Sequence, residues 1–127
     1  MNVLGHGIDL VETARIARLL AEHGQRFLDR IYTPGEQEYC RAGGKRQVER
    51  LAGRFAAKEA VLKALGTGWT RGVAWTDIDI QPESAGRPSV FLSGGCAKIA
   101  AELGITAWLL SISHIETHAT ASAIAVG

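Results

Sequence analysis

At 127 residues the chain has room for one domain, spanning 1–127, and none for a second. With 46% hydrophobic and 21% charged residues and a formal net charge of +1, it has ordinary globular composition and no electrostatic basis for binding nucleic acid or an anionic membrane surface. No basic segment leads into a long apolar run at the start, and no apolar stretch reaches bilayer length, so a cytoplasmic location is expected.

Residues 3–11 form a mostly apolar run broken by His6 and Asp9, which predicts a strand. A helix is expected over 13–23, with Ile16, Leu19 and Leu20 on one side and Gly24 as its stop, then a short helical piece over 26–32. Thr33-Pro34-Gly35-Glu36 reads as a helix start: threonine caps, proline takes the first position, and glutamate reaches back. That helix ends near Gly43-Gly44, and a longer one follows over 45–65, terminated by Gly66-Thr67-Gly68. Strands are expected over 73–80 and 89–92 with a turn at Gly86-Arg87-Pro88, then a helix over 96–103 closed by Gly104. Two last strands, 106–113 and 120–126, flank a polar bend at 114–118. The pattern predicts an α+β fold with a mainly antiparallel sheet packed with helices. Cys40 and Cys96 are far apart, in no metal-ligand spacing, and read as buried reduced thiols.

The long helix carries the most information. Leu51, Phe55, Leu62 and Leu65 make one apolar side; Gly53, Ala57, Ala60 and Ala64 make the other, small enough for close approach by a neighbour. Glu59 shares the side of Phe55 and Leu62, at its edge, and a carboxylate there needs a partner, a proton or a cation. Pairing with Lys63, four residues on, is the purely structural reading, with Arg54 and Lys58 snorkelling to water. Against it stand three cations for one carboxylate, an imbalance that a bound polyanion would relieve. The Gly66-Thr67-Gly68 turn offers amides and a hydroxyl nearby, though a lone GxG is a weak phosphate signal. Asp9 lies between large aliphatic residues. Alone it reads as a cap for the following helix; taken with Glu59 and the Lys/Arg excess it suits magnesium phosphate chemistry, in which one or two carboxylates share the ion with water and substrate phosphates.

These residues also carry a resemblance. Gly7-Ile8-Asp9-Leu10-Val11-Glu12 with Arg15-Ile16 resembles the opening signature of holo-acyl-carrier-protein synthases. Gly53-Arg54-Phe55-Ala56-Ala57-Lys58-Glu59-Ala60 with Lys63-Ala64-Leu65-Gly66-Thr67-Gly68 resembles their second signature, and Gly86-Arg87-Pro88 and Ser111-Ile112-Ser113-His114 match shorter stretches in the same order. The likeness spans nearly the whole chain. It implies the 4′-phosphopantetheinyl transferase fold, and transfer of 4′-phosphopantetheine from coenzyme A to a serine of acyl carrier protein. It also implies a homotrimer with active sites between subunits. By the same resemblance Asp9 and Glu59 are the magnesium ligands, and Lys63 joins them in catalysis. Arg54, Lys63, Gly66, Thr67 and Gly68 hold the coenzyme's phosphates. Arg87, Pro88 and His114 approach the nucleotide from a neighbouring subunit, and Arg15, Arg26 and Phe27 receive the acidic carrier. Larger relatives have a third acid where Val11 stands, which leaves the general base open between Glu59, a metal-bound water near it, and His114. His6, His23 and His118 are read as surface or packing residues. Two other readings remain: a magnesium-dependent nucleotide hydrolase, which would cleave coenzyme A without carrier, and a non-catalytic binding module, which loss of Asp9 or Glu59 would favour.

Overall fold

The computed structural model describes residues 1–70, 72–82 and 86–127. Strand β1 (Val3–Glu12) leads straight into α1 (Thr13–His23), whose start is tied down from a distance. The Thr13 hydroxyl donates to the Glu116 carbonyl at 2.6 Å and its amide to that of Thr117. Gly24, at φ 53°, turns the chain into α2 (Gln25–Ile31). Helix α3 (Pro34–Arg41) opens with the expected capping box: the Glu36 amide donates to Thr33 Oγ1, and the Thr33 amide to Glu36 Oε1 at 2.8 Å. A 3-10 turn, Gly44–Arg46, precedes α4 (Gln47–Leu65), which Gly66 closes in the left-handed conformation at φ 80°.

The second half departs from expectation at one place. Residues 73–77 do not join a strand, because the Asp77 carboxylate accepts the Ala74 amide and folds Trp75–Asp77 into a 3-10 turn. Only then does β2 (Ile78–Pro82) begin, paired antiparallel with β3 (Pro88–Leu92) as a separate two-stranded sheet. Helix α5 (Gly94–Leu103) follows, then the hairpin of β4 (Ala107–His114) and β5 (His118–Val126). The main sheet is antiparallel throughout, ordered β1-β5-β4. An α+β fold with antiparallel sheets is therefore what the chain adopts. None of the described helices is long and apolar enough to cross a membrane.

The 19-residue α4 lies between the main sheet and the remaining helices, and is buried along most of its length except for an edge at Glu59 and Lys63. Leu51, Val61 and Leu62 pack with Ile16, Tyr32, Ile78 and Ile80, each such side chain contributing about 1.5–3 kcal/mol. The sheet-facing side is built from small residues. Ala119, Ala121, Ala123 and Ala125 of β5 are all buried, and Ile112 of β4 touches the spot where Gly53 has no side chain. On β1, a methyl added at Gly5 or Gly7 would run into the carbonyl oxygens of Ala64 and Ala60. Strand and helix thus meet backbone to backbone, as the small-residue side of the helix predicts. The opposite face of the sheet is bare: Ile8 and Leu10 are 59% and 67% exposed, with Leu4 and Leu109 beside them.

Candidate functional site

Asp9 is on the helix-facing side of β1, in register with Ala121 of β5 and then Ile112 of β4. It does not cap α1; the residue before that helix is Glu12, whose side chain makes no capping bond. Two residues beyond Gly7, Asp9 meets α4 where the strand is pressed onto it. Lys63 reaches across to meet it: Nζ is 3.1 Å from Asp9 Oδ1 and donates to the Ile8 carbonyl at 2.9 Å. Lys63 therefore pairs with the strand and not with Glu59, one turn before it on the helix. Glu59 is half-buried, and its Oε1 accepts the Trp69 indole N–H at 3.3 Å.

Lys58 and Arg54, the two cations of α4 that precede Glu59 most closely, take different partners. Lys58 is fully buried, 2.7 Å from Glu36 Oε1, and donates to the carbonyls of Trp75 and Ile78. It does not snorkel. Arg54 is buried with its guanidinium 3.9 Å from the centroid of the Tyr39 ring, a cation–π contact, and its Nε has no hydrogen-bond partner among the described residues. The imbalance read from the sequence is thus met only in part from outside the helix: Lys58 has a counter-ion there, whereas Arg54 has an aromatic ring and no carboxylate among the described residues. Glu36, which the sequence marks only as a capping residue, is a buried counter-ion that also accepts the Ile80 amide.

The remaining expected site residues lie at different distances from this centre. In the turn after α4 the Gly66 amide closes the helix onto Leu62 and Lys63, so the amides left without a backbone partner among the described residues are those of Thr67 and Gly68. Arg15, Arg26 and Phe27 line one groove of about 410 Å³, together with Arg30, Phe55 and Trp75. Arg30 follows Arg26 at helical spacing and was legible on that ground; Trp75 was hidden in a segment read as strand. His23 also lines this groove and is exposed there, as a surface residue. Arg87 and Pro88 line a different groove with Trp108 and Leu109, on the far side of β5 from Asp9. His114, at the end of β4, contacts Glu49 at 2.9 Å, two strands away from β1 and so about 10 Å from it. One chain brings together Asp9, Lys63 and Glu59; it does not bring Arg87, Pro88 or His114 to them.

Among the described residues no cluster of three or more His, Cys, Asp or Glu could hold a metal. Asp9 and Glu59 supply only hard oxygen donors, a set that fits an ion completing its shell with water and ligand oxygens. Both cysteines are free and buried. Burial pushes the Cys40 thiol up to about 12 and that of Cys96 up to about 11, so both stay protonated.

Fold and site define an α+β protein in which a strand carboxylate and a basic, acid-bearing helix share one edge of an antiparallel sheet. The chain belongs to the 4′-phosphopantetheinyl transferase superfamily, whose family model matches residues 5–123. It is 49% identical over 122 residues to the holo-[acyl-carrier-protein] synthase of Koribacter versatilis, covering 96% of this chain and 97% of that one. Among solved structures, the holo-[acyl-carrier-protein] synthase of Neisseria meningitidis superposes with a TM-score of 0.90 at 39% identity, covering 99% and 100% of the two chains. The Helicobacter pylori enzyme of that name, in complex with coenzyme A, gives 0.83 at 31% identity, with 95% and 99% covered.

Proposed function

We propose that the chain transfers the 4′-phosphopantetheine group from coenzyme A to a serine of apo-acyl carrier protein, releasing adenosine 3′,5′-bisphosphate. The observation that carries this reading is the meeting of Asp9 with the exposed edge of α4 through Lys63 at 3.1 Å, with Glu59 one turn away. It brings two carboxylates and a cation from distant parts of the chain to one accessible edge, beside a turn whose Thr67 and Gly68 amides have no backbone partner among the described residues. Relatives of the same length carry the activity in their names, and the resemblance covers both signatures.

Asp9 and Glu59 would hold magnesium, which when bound neutralises the diphosphate and makes its phosphorus more electrophilic. The carrier's serine oxygen forms a bond to the β-phosphorus while the bond to the departing bisphosphate oxygen breaks. Glu59, or a water held near it, would accept the serine proton. Lys63 can turn from Asp9 toward phosphate, since its side chain is 53% exposed. Arg54 and the Gly66–Thr67–Gly68 turn add positive charge and amide donors. The groove bearing Arg15, Arg26 and Phe27 has the basic rim and apolar floor that suit an acidic helical carrier.

Self-association as a homotrimer is part of the reading. The bare apolar face at Leu4, Ile8, Leu10 and Leu109 needs a cover, and contacts between subunits would bring Arg87, Pro88 and His114 to a neighbour's Asp9 edge. We further assign the chain to the cytoplasm, in fatty acid biosynthesis, as one domain over 1–127. Mass spectrometry of apo-carrier incubated with coenzyme A and magnesium should reveal the phosphopantetheine mass increase. The Glu59→Gln variant should fold normally and lose that increase by about 100-fold or more; near-parental turnover at ordinary magnesium would remove Glu59 from the metal site.

A further inference from the structure

Three aromatic rings run from the groove at α1 to the Glu59 carboxylate. Phe55 and Trp75 stack with centroids 5.0 Å apart at 28°, and Trp75 and Trp69 with centroids 3.9 Å apart at 31°. The middle ring is anchored through its backbone, because the Trp75 carbonyl accepts the buried Lys58 ammonium at 2.9 Å. Trp69, 37% exposed, follows a glycine turn and is held by this stack and by its own N–H, which donates to Glu59 Oε1 at 3.3 Å. Stacking by itself satisfies a ring in many in-plane orientations. The one adopted points the only polar atom of the indole at the Glu59 carboxylate. The donor is neutral. An indole N–H fixes a carboxylate oxygen without cancelling its charge, whereas an ammonium there would compete with a divalent cation. Lys63, the cation that could have paired with Glu59, goes to Asp9 instead.

We propose that Trp69 is a positioning residue: braced on Trp75, it orients the Glu59 carboxylate for a divalent cation while leaving its charge intact. The proposal rests on the assignment of Glu59 to the metal site and extends it to a residue outside both family signatures.

The test measures binding of Mn2+ alone, without coenzyme A or carrier, by the electron paramagnetic resonance signal of the free ion. Trp69→Phe keeps a stacking ring and deletes the N–H. It should weaken Mn2+ binding about tenfold, the lower end of what one hydrogen bond to a charged group is worth, and raise the metal concentration for half-maximal transfer by a similar factor, with the carrier KM unchanged. In a Glu59→Gln background the same substitution should cause no further loss, because the two residues act through one contact. Trp69→His, a ring that retains an N–H, should recover part of the affinity. Parental Mn2+ affinity in Trp69→Phe, or equal losses in the two backgrounds, would overturn the proposal. If the parent protein transfers phosphopantetheine normally in that case, the failure is confined to Trp69. If the parent shows no transfer while the Mn2+ effect holds, the transferase reading fails and the positioning role stands.

Discussion

Two lysine–carboxylate pairs are anchored five residues apart on α4, and they differ in depth. Lys58 and Glu36 lie 2.7 Å apart with no exposure on either side chain; Lys63 and Asp9 lie 3.1 Å apart with 53% and 17%. The deep ammonium has an acceptor for each of its three protons: Glu36 and the carbonyls of Trp75 and Ile78. Burial pushes the Glu36 carboxyl up and the Lys58 ammonium down, both toward the neutral pair, while their mutual attraction opposes each. That pair joins α3, α4 and the start of β2, and has no room for anything else. The shallow pair is held loosely enough for either member to take another partner. The same chemistry is structural at one depth and exchangeable at another, and solvent access decides which.

The distinction can be broken most sharply at Lys58. Lys58→Met alone should cost about 3–5 kcal/mol by stranding the Glu36 carboxylate, and adding Glu36→Gln, which removes the charge and keeps an acceptor for the Thr33 and Ile80 amides, should restore part of it. Denaturant unfolding of the three proteins measures this, and a single variant as stable as the parent would erase the contrast. Lys63→Met should do the reverse. Its stability should change by less than about 1 kcal/mol, while transfer to the carrier falls about tenfold or more from loss of a phosphate-facing charge; equal damage to both would make the shallow pair structural too. The smallest effect concerns the deep layer's thiols. With Cys40 raised to about 12 and Cys96 to about 11, folded protein at pH 8 should resist iodoacetamide that labels both after denaturation. Both thiols begin to ionise only near those values, so protection should weaken above about pH 10.

What the sequence disclosed follows the range of the interactions involved. The start of α3 was legible because its capping box closes within four residues, and the end of α4 because Gly66 alone supplies the turn. The antiparallel α+β class followed from the order of runs and breaks. The start of β2 was misread since the loose alternation over 73–77 looks like a strand, whereas a single carboxylate, Asp77, bends it. Asp9 and Glu59 stood out as acids in apolar company. Their surroundings did not: the counter-ion of Lys58 is 22 positions upstream, and the partner of Lys63 is 54 positions upstream on another element. Trp69, ten residues after Glu59, falls on no helical or strand period that would link them.

The glycine seat of β1 has a consequence for how the acidic edge is built. With Gly5 and Gly7 laid against the carbonyls of Ala64 and Ala60, the gap between strand and helix is set by main-chain atoms and not by side chains that can swap rotamers. Asp9 and Glu59 are thus mounted on two rails clamped at fixed gauge, and thermal motion of either rail carries its neighbour along. Precision at this edge is inherited from the scaffold, so substitutions elsewhere in the core can accumulate without letting the two carboxylates drift apart.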